Sequence, residues 1–162
     1  MIRIIAFSLA VAACSMPAPA EPPAFDPLDF FTGPSRGVGT LKIMTKPSVS
    51  IHVSSNGSPD GKGGLVLDQT IREGTKAKRQ RRWVLRPTSP TTLSGTITDN
   101  PGRVRGRIEG DRMILNYTMK GGMKAEQVMT LQAGGRSLVN RMTVRKFGVA
   151  VAHVDEVITK VN

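Results

Sequence analysis

This 162-residue chain has a single cysteine, Cys14, so no disulfide within the chain can brace it and no cysteine-built metal centre can form. Histidine is nearly as scarce: His52 and His153 are the only two. A zinc-type site would therefore need carboxylates brought in by folding, and neither a metal nor any other cofactor is expected. Aromatic residues make up 4%, with one Trp and one Tyr. That is too few for the two aromatic girdles of a membrane-spanning barrel. No apolar run approaches the roughly 20 residues of a membrane helix; the apolar stretch Ile4 to Ala13 falls far short. Acidic residues are outnumbered, 12 against 23 Lys and Arg, for a formal charge of +11. Amphipathic helices between strands are also missing, which argues against a parallel α/β sheet.

What is present begins with the N-terminus. Arg3 supplies a short positive start, Ile4 to Ala13 an uncharged helix-forming stretch, and Val11, Ala12 and Ala13 lead directly into Cys14. This is the pattern of an export signal of the lipoprotein kind, cut before Cys14 so that the lipid is carried on its sulfur. The same residues allow an ordinary signal cut after Ala20, at Ala18, Pro19, Ala20, so residues 1–20 read as a signal either way. Residues 15–24 form a proline-rich tether, extended and unable to pack. The expected address is the bacterial cell envelope, anchored by lipid and facing the periplasm, or free in the periplasm after the ordinary cut. Loss of Arg3 lowers the charge from +11 to +10. An exported cation of this kind meets anionic lipids and envelope polymers, and nucleic acid is not an expected partner.

Residues 25–162 read as one folded domain. Asp26 followed by Pro27 is a helix start, and Leu28, Phe30 and Phe31 give one apolar turn that, with Phe25, is expected to cap a core. From Arg36 onward the apolar residues alternate with polar ones and are interrupted by turn residues about every ten positions, in roughly ten segments. Expected turns include Asn56 to Gly64, Asp99 to Gly102, Gly121–Gly122, Gly134–Gly135 and the tight join Lys146–Phe147–Gly148, and the segment of Trp83 and Leu85 is expected to end at Pro87. Gly95 and Gly106 lie at the centres of two segments, where glycine marks the bend or bulge that closes a sheet. The predicted fold is all-β: an antiparallel up-and-down barrel of about 8–10 strands with a short N-terminal helical turn. Arg103, Arg105 and Arg107 share one face of their strand. Lipid on that face would cost about 2–4 kcal/mol per arginine near the midplane, so a barrel in water, apolar inside, is favoured.

The segment Phe25, Asp26, Pro27, Leu28, Phe30, Phe31, Gly33, with Gly37 and Gly39, then Gln80, Arg81, Arg82, Trp83, and finally Asn140, Arg141, Lys146, Phe147, Gly148, resembles a bacterial lipoprotein family known as domain of unknown function 3833. The resemblance covers nearly the whole chain after the signal. It implies a lipocalin-like, or calycin, barrel, with Arg82, Trp83, Asn140, Arg141, Lys146, Phe147 and Gly148 as barrel-closing or family-motif positions. Where the family carries an acidic and aromatic stretch ahead of the penultimate strand, this chain has Glu126, Gln127, Val128 and Met129. The resemblance implies no activity.

Two functional readings follow. In the first, the barrel holds a small apolar or lipidic ligand. In the second, the core is solid and a basic surface made of Lys78, Arg79, Arg81, Arg103, Arg105 and Arg107 holds an anionic lipid, polymer or protein. Trp83 is expected in the core near the closed end with an arginine packed across it. Catalysis is not expected: the only local acid–base grouping is His153 with Asp155 and Glu156, which reads first as a hydrogen-bonded pair on the last strand.

Overall fold

The computed structural model describes residues 25–161. Cys14, the signal residues 1–20 and the tether 15–24 lie outside the described residues.

Ten strands close into one antiparallel barrel, each paired with the next in sequence and the first with the last. They are β1 (Gly33–Ile43), β2 (Val49–Pro59), β3 (Leu65–Glu73), β4 (Arg79–Ser89), β5 (Thr92–Ile97), β6 (Asn100–Glu109), β7 (Arg112–Thr118), β8 (Lys124–Leu131), β9 (Ser137–Lys146) and β10 (Val149–Lys160). The up-and-down order places the start of β1 and the end of β10 at one end. The turns 44–48, 74–78, 98–99, 119–123 and 147–148 stand at the other. The predicted fold class and strand number are thus the observed ones. Apolar residues at every second position point inward, which is how a strand shows one face to a core; in β4 this is Trp83 and Leu85, and in β7 Met113, Leu115 and Tyr117.

The first end is stoppered by the helix α1 (Pro27–Phe31). Asp26 caps it, its Oδ1 accepting from the Leu28 and Asp29 amides at 2.8 and 3.2 Å. Pro27 stands in the first turn, where its missing N–H costs nothing. The helix ends at Thr32, whose amide and hydroxyl both donate to the Leu28 carbonyl, at 3.1 and 2.6 Å. Phe25, Phe30 and Phe31 are buried and stacked edge to face, as the sequence predicts. The Phe31 carbonyl lies against Gly57 of β2 so closely that a Cβ there would fall 1.9 Å from it. Only glycine lets the stopper sit down.

That contact also explains where the expected turn at Asn56 is displaced. Residues 56–59 remain in β2, with Asn56 to Pro59 opposite Asp68 to Leu65, and the chain turns only at 60–64. Likewise β4 runs past Pro87 to Ser89 through a bulge, and β6 already starts at Asn100. Gly95 is the expected bend: the β5–β6 register shifts beside it, and a Cβ there would fall 2.0 Å from the Val84 carbonyl.

Candidate functional site

The barrel is hollow. A cavity of about 500 Å³ runs from Phe31 and Leu85 at the stoppered end to a mouth bounded by Ile43, Glu73, Met119, Met123, Lys146 and Val151. Its walls are mostly apolar, and five methionines (Met113, Met119, Met123, Met129, Met142) contribute to them. Unbranched, polarisable thioethers adapt to irregular ligands better than branched side chains do. The solid core of the second functional reading is corrected by this cavity.

Among the polar groups on the wall, one pair stands deepest in burial. Strand parity turns Asn140 of β9 and Glu156 of β10 inward, opposite one another in register. Asn140 Nδ2 donates to Glu156 Oε2 at 2.8 Å. Asn140 Oδ1 and Glu156 Oε1 are buried and have no hydrogen-bond partner within the protein, and the same holds for Ser35 Oγ. Such groups are costly unless something satisfies them. Glu156 lies flat over Gly37 of β1, where a Cβ would come within 1.8 Å of Oε1. Burial pushes its carboxyl above the ordinary range, a shift that the Asn140 hydrogen bond and the Arg81 charge oppose only in part.

A charged network occupies the wall nearer the mouth. Arg79 Nη1 and Arg81 Nη2 reach the same oxygen of Asp99 at 2.7 and 2.8 Å, and Arg79 Nη2 also reaches Glu73 at 2.9 Å. Burial works to raise the Glu73 pKa, but hydrogen bonds from Arg79 and Lys76 outweigh it and hold the carboxyl below its usual value. The two arginines are therefore matched by two carboxylates. Arg81 also lies over the Trp83 ring at 5.9 Å, and Trp83 donates to Gln69 Oε1 at 2.8 Å and meets Tyr117 edge-on at 5.5 Å.

The expected site residues are distributed as follows. Arg79 and Arg81, expected on a basic surface, face the cavity instead, because they share the parity of Trp83. Arg82 alternates outward and pairs with Asp68 at 2.6 Å, so the arginine across Trp83 is Arg81. Trp83 is buried as expected, but in the middle of β4 rather than at the closed end. Lys78, Arg103, Arg105 and Arg107 are exposed, with Arg107 bonded to Glu109. Arg103 and Arg105 flank a shallow outer cleft with Lys124, where the β6–β7 ladder stops at Arg105 and Asn116. Arg141 is exposed, 3.8 Å from Asp155. Lys146 edges the mouth, and Phe147 and Gly148 form the tip of the β9–β10 hairpin with φ of 51° and 82°. His153 is exposed and faces Thr143, while Glu156 is inside, so the His153–Asp155–Glu156 grouping does not assemble. The Glu156–Asn140 pair was missed as a polar site. Its signal was present: both residues stand in phase with buried neighbours, Leu138 and Val144 for one, Val154 and Ile158 for the other. Among the described residues no group of three or more potential ligands could hold a metal ion.

Residues 8–160 match the model of a family described as protein of unknown function (DUF3833). No curated protein matches the chain in sequence. Among solved structures, the S-type phycobiliprotein lyase CpeS of Guillardia theta superposes with a TM-score of 0.66 at 9% identity, over 83% of this chain and 90% of that one. Rv2717c of M. tuberculosis superposes with a TM-score of 0.62 at 15% identity, over 83% of this chain and 95% of the other. Both likenesses carry the fold, a lipocalin-like barrel.

Proposed function

The chain belongs to the DUF3833 family, and from the chamber it encloses we propose that it is a binding protein for one small, mainly apolar molecule with a single polar end. The observation that carries this is the cavity of about 500 Å³, which lies within the size range of small-molecule sites and is open at one end only. Methionine-rich walls suit a flexible apolar body. Asn140 Oδ1 and Glu156 Oε1 suit a neutral polar end. Asn140 Oδ1 accepts, and Glu156 Oε1 accepts when charged and can donate when protonated, so a hydroxyl or amide, which offers both roles, satisfies the pair in either state. The arginines favour no free anion here, since Glu73 and Asp99 already neutralise them. The neighbouring phycobiliprotein lyase shares the barrel at 9% identity; the reading for this chain is capture without reaction.

The N-terminal sequence supports a place for this activity: the bacterial envelope, with Cys14 carrying the lipid and residues 15–24 tethering the barrel on the periplasmic side. Metabolic labelling with a fatty acid, in the wild type and in Cys14→Ser, tests the anchor directly.

The binding reading is tested by titrating the protein with an environment-sensitive apolar fluorophore, alongside Val154→Trp, which fills the chamber from a buried position on its wall. Saturable binding by the wild type, weakened at least tenfold in Val154→Trp at unchanged secondary structure, is the expected result. Absence of saturable binding, or equal binding by both proteins, overturns it.

A further inference from the structure

We infer that the open rim of the barrel is a docking surface for an anionic lipid bilayer, with Phe147 as its inserting residue. Phe147 is 95% exposed and is the one described non-glycine residue with positive φ, at 51°. With Gly148 it forms a two-residue turn in which both residues are left-handed, a conformation that Asn followed by Gly fills with least strain. A bulky aromatic side chain there costs stability twice, once in backbone strain and once in exposure to water, and the ammonium of Lys146, 5.6 Å over the ring, offsets only part of it. The neighbouring β1–β2 turn adds Met44, 59% exposed, and Val149 adds another apolar surface at 58%. The two turns are tied side by side, since the Met44 amide donates to the Val151 carbonyl at 3.0 Å. Phe147, Met44 and Val149 thus form one apolar crest beside the mouth of the cavity.

Charge identifies the occupant. Exposed lysines stand all round that end: Lys46, Lys76, Lys78 and Lys120 on the turns, and Lys124 and Lys146 on the strand ends. The carboxylates nearest them, Glu73 and Asp99, are held by Arg79, Arg81 and Lys76. The stoppered end is mixed in sign, with Asp26, Asp29, Asp60, Glu109 and Asp111 standing among Lys62, Arg86, Arg112, Arg136 and Lys160. An apolar crest inside a ring of lysines matches the interface of an anionic bilayer, where headgroups attract the lysines and the acyl boundary takes up the aromatic ring. A soluble polyanion would use the lysines and leave Phe147 idle. Docked this way, the mouth faces the bilayer. The inference does not depend on what the cavity holds.

The test is co-sedimentation of the full chain with vesicles of phosphatidylcholine alone or mixed with phosphatidylglycerol, for the wild type, Phe147→Asn and the triple change Lys46→Gln, Lys78→Gln, Lys120→Gln. Any contribution of the N-terminal residues is common to all three proteins and cancels in the comparison. Phe147→Asn relieves the strained turn, so it folds at least as well as the wild type. The expected result is partitioning that requires phosphatidylglycerol, falls about tenfold in Phe147→Asn, and falls about a hundredfold in the triple variant, at about fivefold per lysine from 1 kcal/mol each. Retention on immobilised heparin separates the alternative: the bilayer reading expects it to fall in the triple variant and to stay unchanged in Phe147→Asn. Vesicle partitioning that is indifferent to Phe147, or to phosphatidylglycerol, overturns the inference.

Discussion

Glu156→Gln isolates the polar end of the cavity, because it keeps the shape of the side chain and an oxygen for the Asn140 amide while removing the ability to ionise. In the wild type the carboxyl is buried, one oxygen is bonded and the other has no partner. A proton on it is therefore held more tightly in the folded chain than in the unfolded one, where the ordinary value of 4.5 applies. The sign follows from that difference. Below 4.5 the group is neutral in both states and costs nothing; as pH rises above 4.5 the unfolded chain releases the proton first, so the wild type loses stability until the folded carboxyl ionises too. The charged groups around it do not reverse this. Asn140 and Gly37 flank it from β9 and β1 and are neutral, and Arg81, across the lumen, is already committed to Asp99.

The magnitude follows from the charge that ionisation leaves on the unpartnered oxygen. A buried polar atom left unsatisfied costs about 1–3 kcal/mol, and for a domain of this size 1 kcal/mol moves Tm by about 4 °C. Glu156→Gln is therefore expected to melt with the wild type at acid pH and about 4–12 °C above it at the alkaline end, the difference growing from pH 4.5 upward. Thermal melts by circular dichroism at a series of pH values measure the difference curve directly, and groups unchanged by the substitution cancel from it. Equal melting at every pH, or a variant less stable at neutral pH, would refute the reasoning by showing that the charged carboxylate is stabilised where it lies.

Two further outcomes test neighbouring parts of the chamber. Tyr117 is the only tyrosine, and burial pushes its phenol up to about 12, so ultraviolet difference titration should show no phenolate at pH 10 in the folded protein. Stability should fall as pH rises from the ordinary 10 toward 12, and ionisation at the ordinary value would place the ring in water instead. Gly37→Ala puts a Cβ within 1.8 Å of Glu156 Oε1 and is expected to cost about 1–3 kcal/mol by denaturant unfolding. In a Glu156→Ala background most of that cost should disappear, a coupling of about 1 kcal/mol or more; strictly additive effects would mean that the two residues do not meet.

Much of the barrel was legible because one signal, alternation, sets both the strand and its inward face. Val104, Gly106 and Ile108 against Arg103, Arg105 and Arg107 favoured the apolar side of β6 as the inward one, and Val104 is buried there. The same rule applied to 79, 81, 83 and 85 places Arg79 and Arg81 inside with Trp83. Placing Arg79 and Arg81 on a basic surface ignored that parity. Turn residues misled more often. Asn56, Gly57 and Pro59 look like loop, but a ladder continues through such residues when its partner strand is present, and Gly57 is there for the Phe31 carbonyl. The charge pairing inside the lumen was not legible, because Arg79, Glu73 and Asp99 are brought together by register across turns rather than by spacing along the chain.

Whether the barrel was filled or hollow turned on a number the alternation left open, eight strands or ten. Barrel diameter grows roughly in proportion to strand count, and eight strands leave an interior that side chains can just fill. With ten, side chains the size of Val, Ile and Met on opposite walls no longer meet at the axis. Among the described residues, the large rings that could span the gap are placed elsewhere. Phe25, Phe30 and Phe31 close one end, Phe147 stands outside at the other, and the remaining pair, Trp83 and Tyr117, lie against each other on one side of the wall. A ten-stranded barrel that assigns its aromatic residues in this way must either collapse or keep a chamber. Closed pairing from β1 to β10 forbids collapse, since no edge is free to slide, and the chamber is what remains.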